Sequence, residues 1–160
     1  MTLVYELLKL VNDTCLCKVV PIDSDGSCLF SSISYLLCGN VQSSFVVRQA
    51  VVDYIISNWG RFKVFTHDHQ GNNYPSHKVY KTAMLNTMTY SSASELQAVS
   101  ELYSCHFQNF YNGHLFTEFR ENFETVKNMS DGHFDAYMFV SSHNEECEIF
   151  ESNIKVVRNS

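Results

Sequence analysis

Ser24-Asp25-Gly26-Ser27-Cys28-Leu29-Phe30 is the stretch from which the fold can be read. Turn-forming residues run directly into an apolar series, Leu29, Phe30, Ile33, Leu36 and Leu37, whose spacing predicts a buried helix that stops near Gly39-Asn40. Cys28 therefore opens a helix. Unpaired N–H groups and the macrodipole favour negative charge at that end, and so favour the thiolate, the form in which cysteine is a nucleophile. Gly26 lets the chain turn tightly, so that those N–H groups can face a substrate oxyanion. A small buried cysteine ahead of an apolar helix has the same local signature, so the turn needs a chemical partner before it points to catalysis.

That partner lies far downstream, in Asp131-Gly132-His133-Phe134-Asp135-Ala136-Tyr137, where a turn leads into a predicted strand. Strand alternation puts His133, Asp135 and Tyr137 on one face. Asp135 can then hold one ring nitrogen of His133 while the other addresses a thiol, the base-and-orienter arrangement of a catalytic triad.

The rest of the chain is organised around these two clusters. Leu3, Val4, Leu7, Leu8 and Val11 recur at helical spacing, which predicts an amphipathic first helix over 3–11, followed by a short apolar connection over 15–20. Ser44 is placed to cap a helix from Phe45 to Trp59, and Ser94 to cap another carrying Leu96, Val99 and Leu102 with Glu95 in its first turn. Between them, residues 66–78 are polar and turn-rich, and a loop or lid is expected there. From Tyr103 onward the pattern shifts to strands at 105–107, 115–119 and 134–140 and a hairpin over 146–157. Helices early and strands late indicate an α+β fold in a single domain spanning 1–160.

Bulk properties narrow the function. The chain has 160 residues, 45% hydrophobic and 18% charged, an ordinary globular composition, with a net charge of −6. Such an acidic chain lacks the clustered Lys and Arg with which nucleic acids or anionic membranes are bound, and suits a basic partner surface instead. Glu6, Lys9 and Asp13 interrupt the first apolar run, so no secretory signal is expected, and no stretch has the ~20 apolar residues of a membrane span. A cytoplasmic or nuclear location follows as the expectation. There Cys15, Cys17, Cys28, Cys38, Cys105 and Cys147 should be thiols. Cys15-x-Cys17 with His67 and His69 misses the usual zinc spacing, and no metal or cofactor is expected. His67, His69 and His77 are read as solvated, and Phe107, Phe110, Tyr111, Phe116, Phe119 and Phe123 as core.

Three blocks in order, Asp25-Gly26-Ser27-Cys28-Leu29-Phe30, Glu95-Leu96-Gln97-Ala98-Val99-Ser100-Glu101-Leu102-Tyr103 and Gly132-His133-Phe134-Asp135-Ala136-Tyr137, resemble the ovarian tumour (OTU) class of cysteine deubiquitinases over residues 20–140. The resemblance implies an OTU-like fold, a small central, mostly antiparallel sheet flanked by helices. It implies Cys28 as nucleophile, His133 as base, Asp135 as its orienting carboxylate and Asp25–Cys28 as the oxyanion-hole turn. It also implies that a monomer hydrolyses the bond after the C-terminal glycine of ubiquitin, polyubiquitin or a ubiquitin-like modifier. Tyr90-Ser91-Ser92-Ala93-Ser94 stands where many members have a Trp-Gly-Gly-like segment lining the channel for the modifier's tail, and Ser27 where Asn is common. The alternative implied by that departure is a catalytically silent OTU-like module that binds ubiquitin or another protein.

Overall fold

The apolar series beginning at Cys28 forms helix α1 (Cys28–Cys38), which ends at Gly39, where φ is 79° and the N–H donates to the Tyr35 carbonyl at 2.6 Å. A left-handed residue at that point satisfies a carbonyl that the helix would leave open, and glycine adopts it without strain. Cys28, Leu29, Phe30, Ile33 and Leu36 are buried. The structure is a computed structural model and describes residues 4–9, 14–23, 25–103, 105–111, 114–119, 136–139 and 154–158.

Helix α2 (Ser44–Ser57) packs against α1 and buries Val47, Val51, Val52 and Ile55. Ser44 is its first helical residue, and Ser43 precedes it without making a side-chain cap. A single turn, α3 (Trp59–Phe62), and the short helix α4 (His77–Met84) follow. Neither was expected as a helix, because α4 is eight residues long and buries only Tyr80 and Met84, one pair at i, i+4. Its start is fixed by Ser76, whose Oγ accepts the Val79 N–H at 3.3 Å. Helix α5 (Ala93–Leu102) packs on α2 and is tied to α3 by the Arg61–Glu101 ion pair, with Nη1 at 2.6 Å from Oε1. Its N-cap is Ser92, not Ser94. Ser94 lies inside the helix, fully buried.

The amino-terminal segment departs from the helix expectation. Val4–Lys9 is strand β1 and Thr14–Val20 is strand β2, paired antiparallel with Leu7 opposite Leu16. Tyr5, Leu7 and Lys9 all face solvent on the same side. The apolar residues of 3–11 fit period 3.6 and period 2 almost equally, and pairing with the Cys15–Val20 run decides for strand.

Strands β3 (Cys105–Tyr111), β4 (His114–Phe119), β5 (Ala136–Phe139) and β6 (Ile154–Arg158) complete a six-stranded sheet in the order β5-β2-β1-β4-β3-β6. β1 and β4 run parallel and the remaining neighbours are antiparallel. The described partner of β6 is β3, and the first half of the expected 146–157 hairpin lies outside the described residues. Helices α1 and α5 pack against the sheet, α1 on β5 and α5 on β3 and β4. None of the described helices is long and apolar enough to cross a membrane.

Two details of this framework concern the site. Val20, at the end of β2, pairs with Ala136, the residue after Asp135. Strand β5 also packs against α1, the helix that Cys28 opens.

Candidate active site

The turn ahead of α1 is held by its own polar groups. The Ser27 N–H donates to Asp25 Oδ1 at 2.9 Å, and the Cys28 N–H donates to the Asp25 carbonyl at 3.2 Å. Asp25 is exposed, Gly26 buried and Cys28 only 1% exposed. Ser27 precedes the helix but does not cap it with its side chain. Its Oγ instead donates to the Thr87 carbonyl at 3.1 Å, which ties the turn to the segment between α4 and α5.

Gly26 is required here by proximity, not by its own dihedral angles. Its φ is not positive, and the left-handed glycines among the described residues are Gly39 and Gly71. A Cβ on Gly26 would stand 2.6 Å from Met88 Cα and closer still to the Met88 carbonyl group. The turn ahead of α1 and the backbone at Met88 are thus in direct contact.

Arg48 joins the two from behind, and nothing in the sequence analysis singled it out. It lies on the buried face of α2 and is fully buried. One guanidinium nitrogen donates to the Met84 carbonyl at 2.7 Å and to the Thr89 carbonyl at 3.2 Å. The other reaches the Gly26 carbonyl at 2.9 Å, Ser27 Oγ at 3.3 Å, and the Thr87 and Thr89 carbonyls at 3.3 and 3.2 Å. The guanidinium carbon also sits 4.5 Å from the centre of the Phe30 ring. A buried charge is tolerated when its donors are satisfied, and the planar fork of arginine suits a ring of carbonyls. Burial lowers the pKa of Arg48, and Glu95, foremost among the neighbouring acidic groups that include Tyr80, Asp25 and Cys28, acts in the opposite sense. The available signal was an arginine one residue from Val47 and three from Val51, on the face that a helix buries.

Beyond Met88 the chain enters α5. Tyr90 is exposed, whereas Ser91, Ser92 and Ala93 are buried. Ser92 and Glu95 form a capping box in which Glu95 Oε2 accepts the Ser92 N–H at 2.6 Å and its hydroxyl at 2.8 Å. The other carboxylate oxygen accepts the Tyr80 hydroxyl at 2.7 Å. Of the proposed tail-channel residues, then, Tyr90 presents its side chain to solvent, Ser91 is buried just ahead of α5, Ser92 caps it and Ala93 is its first residue.

A cleft of about 430 Å³ opens beside this segment, lined by His67, Asp68, His69, Tyr74, Met88 and Tyr90 among others. Its far wall is the 66–76 loop, and hydrogen bonds order it. Asp68 Oδ1 accepts the N–H groups of Gln70 at 2.9 Å and Asn72 at 3.0 Å, and these bonds hold the Asp68 carboxyl below its usual pKa. His67 is half-buried, while His69 and His77 are exposed. Neither Cys28 nor Cys38 is in a disulfide. Among the described residues no three His, Cys, Asp or Glu side chains are grouped to hold a metal ion. His133 and Asp135 lie outside the described residues, as do the side chains of Cys15, Cys17, Cys105, Cys147 and the aromatic group from Phe107 to Phe123.

A cysteine at a helix start, a turn locked by buried contacts, and a strand following His133 that packs on the cysteine's helix make a recognisable set. A family model described as OTU-like cysteine protease matches residues 23–151. The chain belongs to the OTU-like cysteine protease family. The OTU fold is also seen in solved structures of viral proteases. The OTU domain protease of Dera Ghazi Khan virus superposes with a TM-score of 0.55 at 12% identity, over 88% of this chain and 79% of that one. That of Qalyub virus superposes with a TM-score of 0.55 at 18% identity, over 87% of this chain and 100% of that one. A search of the curated proteins gives no match.

Within this OTU domain the Glu95–Tyr80 bond gives a stability prediction. Tyr80→Phe removes a buried donor to a carboxylate and should cost about 1.5–3 kcal/mol, measured as a lowered urea midpoint at pH 7. Burial and Glu95 raise the pKa of the Tyr80 hydroxyl well above its usual value of 10.0. The unfolded chain therefore loses this proton first. Stability from the bond is fully present below pH 10.0 and is lost as pH rises through the folded pKa, so the alkaline loss should be smaller in Tyr80→Phe.

Proposed function

We propose that this chain is a thiol-dependent deubiquitinase that hydrolyses the isopeptide bond after the C-terminal glycine of ubiquitin or a ubiquitin-like modifier. The observation that carries the reading is Cys28 at the first position of α1, behind a turn clamped by Arg48 and the Met88 backbone. Cys28 is the nucleophile, His133 the general base and Asp135 the carboxylate that orients it. The register of β2 with β5, which sets Ala136 beside Val20, supports this pairing. The thiolate attacks the glycine carbonyl, the lysine amine leaves with a proton from His133, and water activated by His133 hydrolyses the thioester.

The oxyanion of each tetrahedral intermediate is met by N–H groups of the Asp25–Cys28 turn. In the resting turn the Asp25 carboxylate occupies the Ser27 N–H. Asp25 is exposed, so its side chain can swing aside and yield that donor to substrate. Met88 and Tyr90, 71% and 42% exposed beside the turn, supply apolar surface for a modifier's tail, and the acidic chain attracts a basic one. We assign the whole chain to one catalytic domain that acts as a cytoplasmic monomer.

Incubation with ubiquitin bearing a C-terminal electrophile, followed by intact mass, tests the assignment. Wild type should gain one ubiquitin and Cys28→Ala none. Tight ubiquitin binding without an adduct would identify a silent binding module instead. Neither binding nor adduct would exclude ubiquitin as the modifier.

A further inference from the structure

The role of Arg48 goes deeper than packing. We propose that Arg48 is a positioning residue for the nucleophile: it fixes the Gly26–Ser27 turn against the Met84–Thr89 segment and sets a permanent positive charge behind Cys28. The inference rests on Cys28 being the nucleophile, and it adds a residue on a different helix, twenty positions along the chain.

Geometry carries the proposal. A guanidinium that served packing alone could be satisfied by any set of acceptors. Here the acceptors among the described residues come from two places, the turn (Gly26 O, Ser27 Oγ) and the α4–α5 segment (Met84 O, Thr87 O, Thr89 O). Carbonyls that point at Arg48 turn their peptide units in a fixed direction. With Gly26 O held at 2.9 Å by Arg48, the peptide that follows it, which carries the Ser27 N–H, is held in orientation too. The same arginine therefore sets the turn's donors and the backbone at Met88 that Gly26 touches.

Charge adds a second contribution. Among the described residues no carboxylate is hydrogen-bonded to Arg48. The groups that act on it electrostatically are Glu95 on α5, Tyr80 on α4, Asp25 in the turn and Cys28 at the start of α1. Glu95 is occupied by Ser92 and Tyr80. In a buried setting the field of the guanidinium, shared with Glu95, reaches the neighbouring thiol with less screening than in water, and the interaction is reciprocal.

The test reads the thiol with a reagent that needs no recognition of ubiquitin, so failure of this proposal and failure of the deubiquitinase reading are distinguishable. Cys28 is alkylated with iodoacetamide across pH 5–10 and followed at the peptide level. Arg48→Gln, which keeps hydrogen-bond donors and loses the charge, should raise the alkylation midpoint by about one pH unit and slow alkylation at pH 7 about tenfold. Arg48→Lys, which keeps the charge, should stay within ~0.3 unit of wild type. A folded Arg48→Gln with the wild-type midpoint would overturn the proposal, because a merely structural arginine leaves that midpoint in place. A measurement on wild type settles the case should both variants fail to fold. The Arg48 guanidinium resonances should titrate at the Cys28 midpoint and cease to do so in Cys28→Ser, and a flat Arg48 titration in wild type would overturn it equally.

Discussion

Cys28→Ala should abolish hydrolysis of a ubiquitin-tail amide, with an expected loss on the order of 10⁴-fold or more, and should leave the domain folded. The size of the effect follows from the chemistry. The proposed pathway runs through a thioester, so removing sulfur removes the covalent route itself, and what remains is whatever the turn and the binding surface do for direct attack by water. The side chain is small and 1% exposed, so its truncation should cost only about 1 kcal/mol in a urea melt. Those two readouts must separate. A variant that loses activity and stability together would leave the nucleophile unassigned, whereas one that keeps its melt, retains ubiquitin binding and loses turnover identifies it. Full activity in Cys28→Ala would end the thiol mechanism.

How much of this was legible in the sequence depends on whether a residue's role is local. The start and stop of α1 could be read from Ser24–Cys28 and Gly39, because caps and turns are decided by near neighbours. The box at Ser92 and Glu95 was nearly so, displaced by two residues because Ser92 and Ser94 offer the same hydroxyl at the head of the same helix. The amino-terminal hairpin was not legible. Its apolar spacing fits two periods, and the choice between them is made by a partner strand that propensity does not see. Arg48 was invisible for a related reason. A charged residue in an amphipathic helix is assumed to be solvated, and only the tertiary arrangement brings carbonyls from 26, 84, 87 and 89 to one guanidinium. His133 and Asp135 were named from strand alternation and the family pattern. The described structure adds only the register of β5 beside β2 and its packing on α1.

Gly26→Ala should cut turnover severely, though less than Cys28→Ala, while adding only a single methyl group. Glycine was read in the sequence as conferring freedom to turn, yet the backbone there has no positive φ, and alanine could adopt its dihedral angles. What alanine cannot do is share space with the Met88 backbone, whose Cα and carbonyl group both lie inside the distance a real Cβ keeps. No side-chain rotation relieves a clash with main chain. Either the turn withdraws, dragging the Ser27 and Cys28 peptides with it, or the Met84–Thr89 segment lifts away and strains the carbonyls gathered on Arg48. Overpacking of this kind costs about 1–3 kcal/mol, which a domain of this size survives. Activity should fall further than stability. A displacement of about 1 Å in the groups that meet the reacting carbonyl is worth roughly 100-fold in rate. The expected result for Gly26→Ala is thus a folded protein with a lowered melting point, turnover of a ubiquitin-tail amide down at least about 100-fold, and Cys28 still present and alkylatable. Gly39→Ala is the control. It strains a positive φ but meets no neighbouring atom, so it should lower stability by about 1 kcal/mol and leave turnover per folded molecule unchanged. Equal turnover for Gly26→Ala and Gly39→Ala would show that the contact between the nucleophile turn and Met88 has no part in catalysis.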